Sequence, residues 1–304
     1  MSSYRQSCDT NARNKEKIDN WRYKEALSNL AAKHYTRMED LYADQSEESY
    51  RKTGIYDENM SFLSKPRVEK IPRRIVFMKM TTVEAILRFS GPEYGKVAAL
   101  NFASYKHPGG MFLKGSAAQE ESLCHSSNLY NILERIDEKT SYYKDHRRLR
   151  ANPLYTDSGL YTPGVLFLDE NDNITKCDVI TCAAPNRTAY DQLPEHRLVE
   201  SAAALKSRIR YVLRIARFNE VDTIILGAYG CGVFGQNPTS VAEFFYEAFH
   251  TLPTGVSTVV FAIPDDRMKK MDRFLEFWDK CLLRKEYVTK DGMIWDRLDV
   301  AIVD

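Results

Sequence analysis

The chain lacks the features that mark several large classes of protein. No run of about 18 apolar residues occurs in its 304 residues, so no segment is expected to span a bilayer. The opening stretch, MSSYRQSCDTNARNKEK, has no apolar core of the signal-peptide kind. Net charge is almost nil, with 43 Lys and Arg against 42 Asp and Glu, which argues against affinity built on neutralising a nucleic-acid backbone. A small anion is still allowed, because backbone dipoles can hold one without net positive charge. The six cysteines, at positions 8, 124, 177, 182, 231 and 281, form no CxxC pair and stand near no histidine at zinc spacing. Several lie in or beside apolar runs, so they read as reduced, buried small residues of a cytoplasmic protein. The six histidines, 34, 107, 125, 146, 196 and 250, make no ligand pattern either. There is no internal repeat and no low-complexity tract.

What the sequence does contain is alternation. Residues 11 to about 54 carry no proline and no glycine before Gly54, and Tyr23, Ala26, Leu27, Leu30 and Ala31 recur at helical spacing. One or two amphipathic helices are expected there, followed by a mixed linker over 55–72. The texture then changes. RRIVFMKM (73–80) reads as a strand, and Thr81 to Glu84 as a capping box opening a helix. KVAALNFAS (96–104) is a strand apolar enough to be covered on both faces. QEESLCHSSNLYNILERI reads as a helix, LYTPGVLFLDEND as an edge strand with a turn, and KCDVITCAAPN as a buried strand. HRLVESAAALKSRIRYVLRIARFN is helical, VDTIILGAYG a strand, PTSVAEFFYEAFH a helix, VSTVVFAIPDD a strand and RMKKMDRFLEFWDKCLL a helix. The basic run 144–148 reads as a solvated face. Such units predict a three-layer α/β/α domain with a mixed, mostly parallel sheet over 70–283. An N-terminal helical extension and linker (1–69) precede it, and a C-terminal tail (284–304) is expected to pack on it.

In such a sheet ligands sit at the carboxyl ends of the strands, and three features fall there. Asn101 and Ser104 run into Pro108-Gly109-Gly110. Gln119, Glu120 and Glu121 follow at a helix start. Gly227 to Gly235, with Gly230, Cys231, Gly232, Val233 and Phe234, joins a buried strand to a helix beginning near Pro238. Closely spaced glycines let backbone N–H groups approach an anion, and they also make tight turns. This loop has neither the GxGxxG nor the Walker pattern, so nucleotide-triphosphate hydrolysis is not expected. Adjacent carboxylates at a helix start are favoured by the dipole alone, by about 0.3–1 kcal/mol each. Beside a glycine loop they also make the pair that cleavage of a glycosidic bond next to a diphosphate requires, a proton donor and a positioned anion. Cys231, with no nearby His or Asp, is read as a small loop residue rather than a nucleophile.

NFASYKHPGGMFLKGSAAQEESL resembles the signature of bacterial-type poly(ADP-ribose) glycohydrolases, in which a glycine run, a short spacer and Gln-Glu-Glu follow one another. GAYGCGVFGQNP resembles the second glycine loop of that family, and the likeness spans about 70–283. The resemblance implies a macrodomain with an ADP-ribose cleft, no metal and no cofactor. Its implied substrate is poly(ADP-ribose) or an ADP-ribosylated protein, or a nucleic acid only where it carries ADP-ribose. By the same resemblance Glu121 is the catalytic acid and Glu120 holds the distal ribose. Gln119 opens the helix, and Gly109 and Gly110 lie near the diphosphate and distal ribose. Gly230 to Gly235 hold the diphosphate, with Phe234 against the distal ribose, and Asn101 and Ser104 line the ribose end. Met111 stands where the family has a third glycine. If that position needs φ > 0 or close approach to ligand, a side chain there would be strained or would crowd the cleft. The alternatives are an ADP-ribose-binding module without strong catalysis and a hydrolase of mono-ADP-ribose.

Overall fold

The computed structural model describes residues 2–58, 72–149, 152–190, 195–283 and 299–303. The apolar runs assemble into one eight-stranded sheet. In chain order its strands are β1 (Gly54–Tyr56), β2 (Arg74–Met78), β3 (Val97–Phe102), β4 (Gly159–Leu168), β5 (Ile174–Cys182), β6 (Thr223–Leu226), β7 (Thr258–Ala262) and β8 (Asp299–Val303). Across the sheet they run β1-β4-β5-β3-β6-β7-β2-β8. The β1–β4 and β4–β5 pairs are antiparallel and the others parallel, so the sheet is mixed and mostly parallel.

Strand periodicity divides the core. Ile75 and Phe77 of β2, with Ala98 and Leu100 of β3, turn to one face. Val76 and Met78, with Val97 and Ala99, turn to the other. The first face is covered by α6 (Glu195–Phe218), α7 (Pro238–Thr251) and α8 (Lys270–Leu283), through Ile209, Phe245 and Trp278. The second is covered by α2 (Thr82–Phe89), α3 (Gln119–His125) and α4 (Leu129–Lys139), through Ile86, Leu123, Ile132 and Leu133. Burying a side chain of this size stabilises the fold by roughly 1.5–3 kcal/mol, so both helical layers are firmly attached. The Thr81–Glu84 capping box is formed as expected.

The structure departs from the sequence reading in several places. β4 is not an edge strand: β1 pairs with it, Gly54 opposite Tyr161. The expected single helix from Gln119 breaks into α3 and α4, because Ser127 leaves it to bridge Phe167. Beside it the Asn128 side chain accepts the Leu166 N–H at 2.9 Å. The basic run lies on α5 (Tyr142–Arg148) and is only partly a solvated face, since His146 is buried with Tyr143. At the far edge β8 lies parallel to β2, which adds part of the C-terminal tail to the sheet. The rest of that tail, 284–298 and 304, lies outside the described residues, as do 59–71 of the linker.

The N-terminal segment forms one long helix, α1 (Ser2–Lys52), with non-helical dihedrals at Tyr42. It lies along the second helical layer. Ala31 and Met38 are fully buried, the His34 ring nitrogen sits 2.9 Å from the Ser127 carbonyl, and Arg135 donates to Glu39 at 2.6 Å. Nearer its start, Ser28 Oγ donates to the Leu113 carbonyl at 2.6 Å. α1 therefore braces the segment that follows β3.

Candidate active site

At the carboxyl end of β3 the chain must leave the sheet, and Gly109 and Gly110 let it turn back. Both take positive φ, 61° and 62°. A Cβ on Gly110 would lie 2.5 Å from Glu121 Oε1 and 3.0 Å from Glu120 Oε2, so this backbone rests directly on both carboxyl groups. Glu121 receives two backbone donors, Met111 N–H on Oε1 (2.8 Å) and Ala118 N–H on Oε2 (3.0 Å). The second closes the first turn of α3 as a cap. Glu120 receives Ser104 N–H on Oε2 (2.6 Å) and the Asn101 side-chain amide on Oε1 (3.2 Å). Both glutamates are buried.

Burial pushes the Glu120 carboxyl up to about 8, and the neighbouring charge of Glu121 adds to the rise. The donors from Ser104, Asn101 and Gly109 oppose it without cancelling it. Glu120 thus holds its proton at neutral pH. The sign for stability follows. Between about pH 4.5 and 8 the unfolded chain loses this proton while the folded chain keeps it, so this group makes stability fall as pH rises. Glu120→Gln, read by thermal melts from about pH 5 to 8, should flatten that slope. It should also lower stability at every pH, because an amide N–H then faces the donors from Ser104 or Asn101. A slope equal to wild type would mean that Glu120 titrates normally.

Three of the expected contact residues are also bonded within the protein. The Gln119 side chain accepts the Phe102 N–H (2.8 Å) and donates to Leu100 O (2.9 Å) and Thr82 Oγ1 (3.1 Å), so it locks α3 to the end of β3. Asn101 is fully buried behind Glu120 and donates also to Thr181 Oγ1 at 3.3 Å, while its amide oxygen has no partner. Ser104 spends its N–H on Glu120 and its Oγ on the His107 N–H (3.2 Å). Met111 has φ −113°, outside the left-handed region, so its backbone is unstrained, and its side chain is 45% exposed.

The second glycine loop follows β6, the neighbour of β3. Gly230 and Gly235 take positive φ, and the turn closes through Gly235 N–H to Gly232 O (3.0 Å) and Gln236 N–H to Gly230 O (3.0 Å). Cys231 N–H is also spent inside the turn, on Ala228 O at 3.1 Å. Among the described residues the N–H groups of Gly232, Val233 and Phe234 meet no acceptor, and a Cβ on Gly232 would touch nothing within 4 Å. This is an arc of three consecutive open donors, the arrangement that receives an anion. The buried Cys231 thiol is pushed up to about 12 by its burial, so it stays protonated and packs.

Sequence reasoning missed the residues that join the two loops. Tyr155 holds a left-handed φ of 60° and stacks on Tyr105 at 4.2 Å, while Tyr105 stacks on His146 at 3.8 Å. On its other side Tyr155 meets the edge of Phe234 at 6.2 Å. The buried Arg208 pairs with Asp157 (2.8 Å) and donates to the Ala183 carbonyl, fixing the same segment. Arg187 N–H donates to Phe234 O at 2.9 Å. None of these contacts leaves a local signal, because each joins residues far apart in the chain. Among the described residues no three His, Cys, Asp or Glu converge as a possible metal site, and no helix is long and apolar enough to cross a membrane.

The likenesses to known proteins agree with this geometry. A family model for the microbial-type PARG catalytic domain matches residues 24–170. The crystal structure of poly(ADP-ribose) glycohydrolase from Thermomonospora curvata, bound to the inhibitor ADP-HPD, is 31% identical, with a TM-score of 0.71 over 84% of this chain and 99% of that one. The chain belongs to the microbial-type PARG family. The Deinococcus radiodurans PARG in complex with ADP-ribose is 29% identical, with a TM-score of 0.68 over 78% of this chain and 98% of that one. No curated protein sequence matches the chain. The PARG family match begins inside α1, at residue 24, so the bracing helix is part of the family domain from there on.

Proposed function

We propose that the protein hydrolyses the ribose–ribose O-glycosidic linkage of poly(ADP-ribose) and releases ADP-ribose, with Glu121 as the general acid. The observation that carries this reading is the buried pair of carboxyl groups clamped under Gly110, with the open N–H donors of the second glycine loop at the end of the neighbouring strand. On this reading the diphosphate of the terminal unit lies on the N–H groups of Gly232, Val233 and Phe234, and the Phe234 ring flanks the distal ribose. Glu120 takes a hydroxyl of that ribose. Glu121 gives its proton to the bridging oxygen as the anomeric carbon becomes oxocarbenium-like, and its carboxylate then takes a proton from the attacking water. No step uses a metal or a cofactor. The two PARG structures, one with ADP-ribose and one with an inhibitor, support the reading.

The test is incubation with purified poly(ADP-ribose) and with mono-ADP-ribosylated protein, followed by chromatography of released ADP-ribose. Release from the polymer is expected. Thermal melts run alongside should show ADP-ribose stabilising the fold, by about 2.7 kcal/mol at 100 times its dissociation constant. Release from the mono-ADP-ribosylated protein alone would reassign the bond attacked. No release with a raised melting temperature would leave a binding module, and an unchanged melting temperature would remove ADP-ribose from the cleft.

A further inference from the structure

A glycosidic bond has two sides, and the site described so far accounts for one of them. If the terminal unit runs from the N–H arc to Glu121, the unit it is cut from must leave past Glu121. The segment that covers Glu121 there is the one after β3. Its Met111 N–H is bonded to the Glu121 carboxyl group at 2.8 Å, so the Met111 side chain starts at the acid itself. That side chain is 45% exposed, and Leu113 two residues on is 37% exposed. α1 passes over the same segment. Lys24 brings its carbonyl against Gly115, and one turn earlier Trp21 is left 62% exposed. Met111 and Leu113 on this segment, and Trp21 on the helix that crosses it, are thus three exposed large apolar side chains on the elements that cover the acid.

The charges there have one sign. Lys106, His107 and Lys114 border the segment, and among the described residues neither lysine has an ion-pair partner. Arg147 is neutralised by Asp137 at 2.7 Å. Burial first, then Arg147, Lys114 and Lys106, push the His107 imidazole below its ordinary value, with Asp137 alone opposing. The surface is therefore locally positive on a chain of nearly zero net charge. Cations interleaved with exposed aromatic and thioether groups suit a ligand that alternates bases with phosphates.

We propose that Trp21, Met111 and Leu113, with Lys106 and Lys114, form a subsite on the leaving-group side of the cleft that holds the penultimate ADP-ribose unit of the polymer. The apolar group takes its adenine and the cations take its diphosphate. This rests on the polymer reading above. It also gives a use to the departure at Met111, where the family's glycine would supply no side chain.

The test compares two substrates on the full chain. One is poly(ADP-ribose); the other is 4-nitrophenyl ADP-riboside, whose aryl leaving group carries neither base nor diphosphate. The double variant Lys106→Gln, Lys114→Gln should raise KM for the polymer about tenfold and reduce its salt slope by roughly 1 to 2. Its kcat on the polymer and both constants on the aryl substrate should stay within a factor of about two. Trp21→Ala should raise the polymer KM by about tenfold with the salt slope unchanged, since stacking carries no charge. An unchanged polymer KM in the double variant overturns the subsite. An equal rise on both substrates overturns it too, because the lysines then serve the terminal unit. If wild type cleaves neither substrate the hydrolase reading fails, and affinity decides the subsite. Polymer must then bind about tenfold tighter than ADP-ribose, and the double variant must lose that margin.

Discussion

Glu121→Gln is expected to lower polymer hydrolysis by at least about 100-fold while the fold and ADP-ribose binding persist. The test is sharp because the geometry allows both explanations of the residue at once. Glu121 is a helix cap, closing α3 through the Ala118 N–H. It is also a buried carboxyl group directly under a glycine turn. Glutamine can still accept one of the two backbone donors but not both, so losing the cap costs about 1 kcal/mol and leaves the domain folded. Losing a transferable proton removes the chemistry. Initial rates on polymer and an ADP-ribose dissociation constant by calorimetry separate the two effects. A variant that cleaves at near wild-type rate would show that Glu121 is a cap and nothing more.

The parts of this protein that the sequence makes legible are those with short-range causes. Strands β2, β3, β5, β6 and β7 announce themselves because a strand covered on both faces must be apolar throughout. The Gln-Glu-Glu cluster and the glycine loops are legible because each is continuous in sequence, and so were the positions of the carboxylates and of the second glycine turn. What stayed hidden depends on distant partners. β1 is three residues long, too short to show a period, and its register against β4 comes from the fold. α5 carries Lys144, Asp145, Arg147 and Arg148, and its buried side comes from Tyr143 and His146, so no apolar stripe marks it. Asn101, Ser104 and Gln119 hold bonds within the protein that no local pattern announces. Which polar group faces a ligand and which faces a carboxylate is decided by orientation, and that is set by packing. The φ of Met111 is the clearest case, since nothing local tells whether a family glycine is there for its conformation or for its size.

Gly110→Ala is expected to cost little stability and most of the activity. At φ 62° an alanine costs about 1–2 kcal/mol, an amount a folded domain of this size tolerates. The new Cβ would lie 2.5 Å from Glu121 Oε1, so something must give. The backbone beneath is tied through Gly110 N–H to His107 O (3.1 Å) and Phe112 N–H to Gly109 O (3.1 Å). The carboxyl group is the end of a side chain and moves more easily, away from the Met111 N–H that aims it. A displacement of about 1 Å at a catalytic group is enough to lose about 100-fold in rate. Gly115→Ala provides the contrast. Its Cβ would fall on the Lys24 carbonyl oxygen, a backbone atom of α1, so there the fold gives way and the melting temperature should drop sharply. Thermal melts and polymer rates on both variants check the pair. If Gly110→Ala keeps its activity, Glu121 does not need the position in which the Met111 and Ala118 donors hold it.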